Sequence, residues 1–260
     1  MKRAQILLNG EPVPVSMEEA GILTTETGLT VLADDAVWLA PPHEAVLGVA
    51  LNYRKHVAEL TSSFHQPPHN KPPKHPVLIV KPKNTITGHR RKVQLPDGVQ
   101  AIQPGPALAI VVSKLARRVK AEDAFGHVGG YTVFNDFSLP ETSYFRPPVT
   151  AKCYDSFGPL GPYIVDAADV PEPGNLAVRT FVNGDLQQEA NTCELVRAIP
   201  ELIESLTQYM TFTPGYVIAT GFPEGRVSVE AGDLVAVEVE GVGRLENHVV
   251  TEAEYYENAE

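Results

Sequence analysis

His56 and Glu59 stand three residues apart in the stretch Arg54–Glu59, which reads as part of a short helix, Tyr53–Leu60, capped by Asn52. Three-residue spacing on a helix puts both side chains on one face. A carboxylate beside an imidazole raises its basicity and fixes its tautomer, which suits a general base working near neutral pH. The same spacing also suits a surface ion pair. Lys152 follows Pro147, Pro148 and a run of small residues. A lysine held there could bind a carboxylate or stabilise an enolate, or it could be a solvated surface charge. Asp136 comes directly after an apolar strand ending at Asn135, where an acid can serve as a ligand or as a polar anchor. One acid is not a metal site. His65, His69 and His75 lie in a proline-rich loop without helix or hairpin spacing, so no metal is expected there.

The elements that must position these residues are mostly short strands. Asn9-Gly10 and Asn183-Gly184 each separate two short runs of strand character, the strongest local signal for a hairpin. Residues 1–45 read as a small β-rich appendage and residues 46–260 as the core. Strands are predicted at Ala45–Ala50, Val77–Lys81, Leu108–Val112, Gly130–Asn135, Leu176–Val182 and Asp233–Val239. Residues 61–76 hold five prolines and read as a lid-like loop. Apolar residues at three- and four-residue steps predict one good helix over Glu194–Tyr209, and Ala121–His127 reads as a short helix with basic flanks. The 23 prolines fit many short strands joined by tight turns. The fold class is therefore α+β and β-dominated.

Composition narrows the function. The chain has 260 residues, ordinary hydrophobic content at 43%, and a net charge of −11. That length can bury a sizeable core. The acidic balance argues against nucleic acid or a membrane surface as partner. No apolar run approaches the ~20 residues that span a bilayer. Two cysteines make no disulfide framework, so a reduced cytoplasmic setting is expected. The charge is uneven: Arg54 to Lys92 holds nine Lys/Arg and one acid, Glu59. That island is about +8 against about −19 elsewhere, which suggests a site for a small anion, or else a solvated basic loop.

Seven stretches, in order, are similar to the fumarylacetoacetate hydrolase family: Gly48–Glu59, Val80–Gly88, Gly129–Asp136, Lys152–Pro162, Phe181–Gly184, Met210–Gly215 and Ala219–Gly225. Together they span roughly residues 45–250. The run from Asp136 to Cys153 resembles in particular the N-terminal half of the members that act in 4-hydroxyphenylacetate (homoprotocatechuate) breakdown, and the chain has the length of one such half. The resemblance implies the family's mixed β-roll with few short helices and a dimer. The activity it implies is isomerisation of 2-hydroxyhepta-2,4-diene-1,7-dioate, with decarboxylation of 5-oxopent-3-ene-1,2,5-tricarboxylate as the second reaction.

It also implies roles. His56 and Glu59 match the family's His-x-x-Glu pair, and Lys152 matches its lysine. Arg54, Lys81 and Arg146 are candidates for the carboxylates of a di- or tricarboxylate substrate, and Thr220 for a substrate oxygen. The family's metal is usually held by Glu-x-Glu and an Asp. Here the two Glu positions are Gly105 and Ala107, so only Asp136 remains, and any Mg²⁺ site is expected to be degenerate, weak or absent. The family's Arg-Asp-x-Gln reads Pro140-Glu141-Thr142-Ser143. Two other readings stay open: a metal-dependent C–C hydrolase or 2-oxo acid decarboxylase of the same family, and a non-catalytic subunit paired with a metal-competent paralogue instead of a homodimer.

Overall fold

The computed structural model describes residues 1–18, 21–67, 70–140 and 148–257. Its strands form a twelve-stranded sheet and a five-stranded sheet. The large sheet runs Thr30–Leu32, Ile22–Thr25, Glu11–Met17, Lys2–Leu8, Gly158–Asp166, Val128–Asn135, Pro106–Val112, Tyr216–Ala219, Ala45–Ala50, Val77–Lys81. Val37–Leu39 and Ile86–Thr87 attach off this path. The small sheet runs Asp185–Asn191, Ala177–Val182, Leu234–Val239, Gly243–Thr251, Lys92–Leu95. Pairing is mainly antiparallel, but Ala45–Ala50 runs parallel to Tyr216–Ala219 and Lys92–Leu95 parallel to Gly243–Thr251. The fold is thus a mixed, β-dominated α+β roll with few short helices.

Both Asn-Gly pairs make the two-residue turns that their composition predicts. Leu8 pairs with Glu11 and Val182 with Asp185. Asn9 and Gly10 have φ of 53° and 83°, and Asn183 and Gly184 have 53° and 91°. Positive φ at both central residues matches the right-handed twist of the flanking strands.

Strand Pro106–Val112 is buried at all seven positions because it is covered on both faces. Leu108, Ile110 and Val112 pack with Val178, Val237 and Val239 of the small sheet and with the helix Ile199–Thr207. Ala107 and Ala109 face the other way, with Phe134, Ala219 and Phe222.

The long helix is shorter than its periodicity predicts. It spans Ile199–Thr207, not Glu194–Tyr209. Glu194 instead closes a capping box with Asn191 around a single turn, Thr192–Glu194. Leu195 bridges to Tyr53 and the Val196 N–H donates to the Asn52 carbonyl, so the helix does not start until Ile199, with Pro200 in its first turn. Ile199, Leu202, Ile203 and Leu206 are the buried face, as the spacing requires. Within the proline-rich loop, Thr61–Phe64 forms a helical turn, with Phe64 buried. The N-terminal strands are not separate from the large sheet: Lys2 and Arg3 pair with Val165 and Ile164.

Candidate active site

Four long-range contacts meet on Asp136. Its strand, Val128–Asn135, ends one residue earlier, and the Asp136 N–H donates to the Gly105 carbonyl at 2.8 Å. Lys81, the last residue of its strand, donates to Oδ1 at 3.1 Å. Lys152, the last residue of the helix Val149–Lys152, donates to Oδ2 at 2.6 Å. Arg226 donates from Nη2 to Oδ2 at 3.1 Å and from Nη1 to the Asp136 carbonyl at 3.0 Å. The Asp136, Lys81 and Lys152 side chains are wholly buried, whereas Arg226 keeps 13% of its side chain exposed.

Burial alone would push the Asp136 carboxyl up. Lys152, Lys81 and Arg226 outweigh it and hold the group well below the usual carboxylate range. Burial pushes Lys81 in the opposite sense, below its ordinary value, against the pull of Asp136. Lys81 also donates to the carbonyls of Lys152 and Phe157 at 2.7 and 2.8 Å. Its three N–H bonds are therefore spent inside the protein. The expectation that Lys81 meets a substrate carboxylate does not fit these contacts; it acts as a clamp between strand, helix and carboxylate.

His56 and Glu59 both lie on the helix Arg54–Glu59, with His56 half-buried and Glu59 exposed. Among the described residues no hydrogen bond joins Glu59 to His56. Asn52 does not cap this helix: Tyr53 stands at the cap position without a side-chain bond. The fully buried Asn52 amide instead donates to the carbonyls of Thr220 and Arg197, at 2.7 and 3.1 Å, and accepts from the Arg197 N–H at 3.0 Å. It pins the helix to the turn at Thr220-Gly221. The Thr220 hydroxyl donates to the Leu108 carbonyl at 3.0 Å. The turn then runs into Phe222 and Arg226. The Phe222 ring lies under the guanidinium, 5.4 Å from its centre, and a Cβ added at Gly48 would stand 2.8 Å from that ring. One segment, residues 220–226, thus connects the His56 helix to the Asp136 cluster.

The basic island does not form one patch. Arg54 is exposed and donates to the Cys193 carbonyl at 2.7 Å, Lys55 pairs with Glu194 at 3.0 Å, and Arg90 pairs with Asp34 at 2.8 Å. Arg146 and the stretch 141–147 lie outside the described residues, as does His69. His65 and His75 are exposed.

The metal-ligating pattern fails on the donor set. Asp136 is one carboxylate already shared among three cations. Among the described residues no group of three or more His, Cys, Asp or Glu could hold a metal ion. A Cβ added at Gly105 would stand 2.7 Å from Arg226 Nη2 and 2.8 Å from its Cζ, so the guanidinium fills the space a longer residue there would need. Ala107 is buried with Phe134 and Phe222. These residues do not fit a divalent cation such as Mg²⁺, which needs several anionic oxygens. Sequence reasoning missed Arg226. The available signal was the loss of two acids beside a retained buried Asp, with a cation one residue beyond the family-like segment Ala219–Gly225.

The chain belongs to the fumarylacetoacetate hydrolase family: the model for the fumarylacetoacetate (FAA) hydrolase C-terminal region matches residues 45–250. It is 40% identical over 217 residues to the 4-hydroxyphenylacetate degradation bifunctional isomerase/decarboxylase of Salmonella dublin, covering 83% of this chain and 49% of that protein. The chain spans about half the length of the bifunctional isomerase/decarboxylase relatives it matches. Among solved structures it is similar to the 5-carboxymethyl-2-hydroxymuconate delta-isomerase from Mycobacterium smegmatis, at 33% identity and TM-score 0.82, covering 97% of this chain and 99% of that one. A 2-hydroxyhepta-2,4-diene-1,7-dioate isomerase from Mycobacterium marinum matches at 29% identity and TM-score 0.80, over the same shares of the two chains. Among the described residues no helix is long and apolar enough to cross a membrane.

Proposed function

We propose that this chain isomerises 2-hydroxyhepta-2,4-diene-1,7-dioate in the breakdown of homoprotocatechuate, in the cytoplasm. The observation that carries the reading is the wholly buried Lys152 ammonium held 2.6 Å from Asp136, in a fold shared with isomerases. The reaction moves one proton. The enol oxygen at C2 loses it, the carbon chain gains one at C5, and the product is the conjugated 2-oxo-3-ene acid. His56 takes and returns that proton, with Glu59, three residues on along the same helix, as its orienting carboxylate. Lys152, wholly buried against Asp136, adds a fixed positive charge that favours the dienolate without touching it. Arg54, Arg146 and Thr220 hold the substrate's carboxylates and oxygens.

Decarboxylation of 5-oxopent-3-ene-1,2,5-tricarboxylate is the harder second reaction, because the electron pair left by CO₂ must flow into a carbonyl. A metal-dependent hydrolase has no support in the donor set around Asp136. The working unit is a dimer, of two copies or with a paralogue, and chain mass in solution tests which.

The test is the ultraviolet decay of the dienol on this chain alone. His56→Ala is expected to slow it about 100-fold or more, the usual contribution of a general acid–base, with the melting temperature held. A folded His56→Ala protein that turns over at the wild-type rate would overturn the assignment.

A further inference from the structure

Arg226 is the member of the Asp136 cluster that the sequence reading left unmarked, and it sits beside Gly105 and Asp136, two of the positions that match the family's metal ligands. Its guanidinium touches the retained metal-type carboxylate, at 3.1 Å from Oδ2. It also fills the volume beside Gly105, where a Cβ would stand 2.7 Å from Nη2. Phe222 supports its underside, and the close approach of Gly48 makes room for that ring. A guanidinium carries five N–H donors. Two of them go to Asp136, and among the described residues the other three have no acceptor. Of the four groups in the cluster, Arg226 is the one that keeps exposed surface, so it is the one a ligand can reach.

We propose that Arg226 replaces the divalent cation as the fixed positive group of this site and binds the adjacent carboxylate and oxygen of a 2-oxo or 2-enol acid. The planar fork suits two coplanar oxygens, whereas a lysine offers a point charge. Asp136 then serves to hold the guanidinium flat and in place instead of coordinating metal. The inference rests on the proposed function only for the identity of the acid; the subsite itself is argued from Arg226, Gly105 and Asp136.

Oxalate is a planar dianion that presents the same pair of oxygens, and its binding can be measured by calorimetry without turnover. In EDTA the wild-type chain is expected to bind it once per chain, and micromolar Mn²⁺ in EDTA-free buffer, too dilute to complex much of the oxalate, is expected to leave the affinity unchanged. Arg226→Met should weaken binding about tenfold or more, the loss expected for a charge-assisted pair of hydrogen bonds. Arg226→Lys keeps the charge on Asp136, so it guards against a variant that fails to fold, and should still lose several-fold because the fork is gone. No binding by the wild type in EDTA, binding that appears only with Mn²⁺, or folded Arg226 variants that bind like the wild type would each overturn the proposal. Oxalate binding lost on Arg226→Met without any dienol turnover by the wild type would overturn the substrate reading while leaving this subsite standing.

Discussion

At Asp136 the energetics turn on removing water from four charged or polar groups at once. A buried carboxylate is costly unless paired and hydrogen-bonded, and here three cations, Lys81, Lys152 and Arg226, supply the pairing. Removing one partner of such a set leaves the others buried and uncompensated. Asp136→Asn keeps the shape and deletes the charge, so it should cost about 3–5 kcal/mol in urea unfolding. A loss below about 1 kcal/mol would mean the cluster is solvated and weak. The sequence marked Asp136, Lys81 and Lys152 individually as able to do chemistry. It could not bring them together, because Lys81, Lys152 and Arg226 lie 55, 16 and 90 residues from Asp136. Nor could it tell a substrate lysine from a clamp, since that depends on which carbonyls surround Nζ.

At the scale of elements, the segment 220–226 matters because it joins the His56 helix to the cluster through one side chain, Asn52. Asn52→Ala would strand the Arg197 N–H and the Thr220 carbonyl in the interior, at about 2 kcal/mol or more. Amide hydrogen exchange should rise in both 195–198 and 220–226. Exchange unchanged in 220–226 would show that the turn is held without Asn52. Periodicity found the buried face of Ile199–Thr207 but misplaced its start by five residues, since Glu194 caps a turn of its own and Leu195 bridges to Tyr53. Both hairpins were legible because Asn-Gly encodes positive φ locally. The role of Asn52 was not, because its partners are 145 and 168 residues away.

Over the whole molecule, the N-terminal strands are joined to the small sheet around Gly88-His89. A Cβ at Gly88 would stand 2.7 Å from the Trp38 carbonyl oxygen. The buried His89 ring meets Trp38 edge-on at 5.2 Å and accepts from the Glu246 N–H at 3.0 Å. Burial, with Arg90 nearby, lowers its pKa from 6.5 to about 4. Between these values the unfolded chain binds a proton that the folded chain refuses. Stability from this group is therefore complete above pH 6.5 and falls as pH drops towards 4, by up to about 1.4 kcal/mol per pH unit. His89→Gln keeps an acceptor without titrating, so its urea-derived stability should lose less than the wild type's over that range. Parallel curves would contradict this. Short strands and turns mark residues 1–45 as a β-rich appendage, and its strand Lys2–Leu8 pairs with Gly158–Asp166 in the large sheet, a contact no local pattern encodes.

The proposed isomerase chemistry rests on fixed side chains, with Arg226 in the cation's place. The most direct test follows dienol absorbance on this chain alone, first in EDTA and then with Mg²⁺ in excess. Equal rates in both are predicted. A rate abolished by EDTA and restored by Mg²⁺ would contradict the claim.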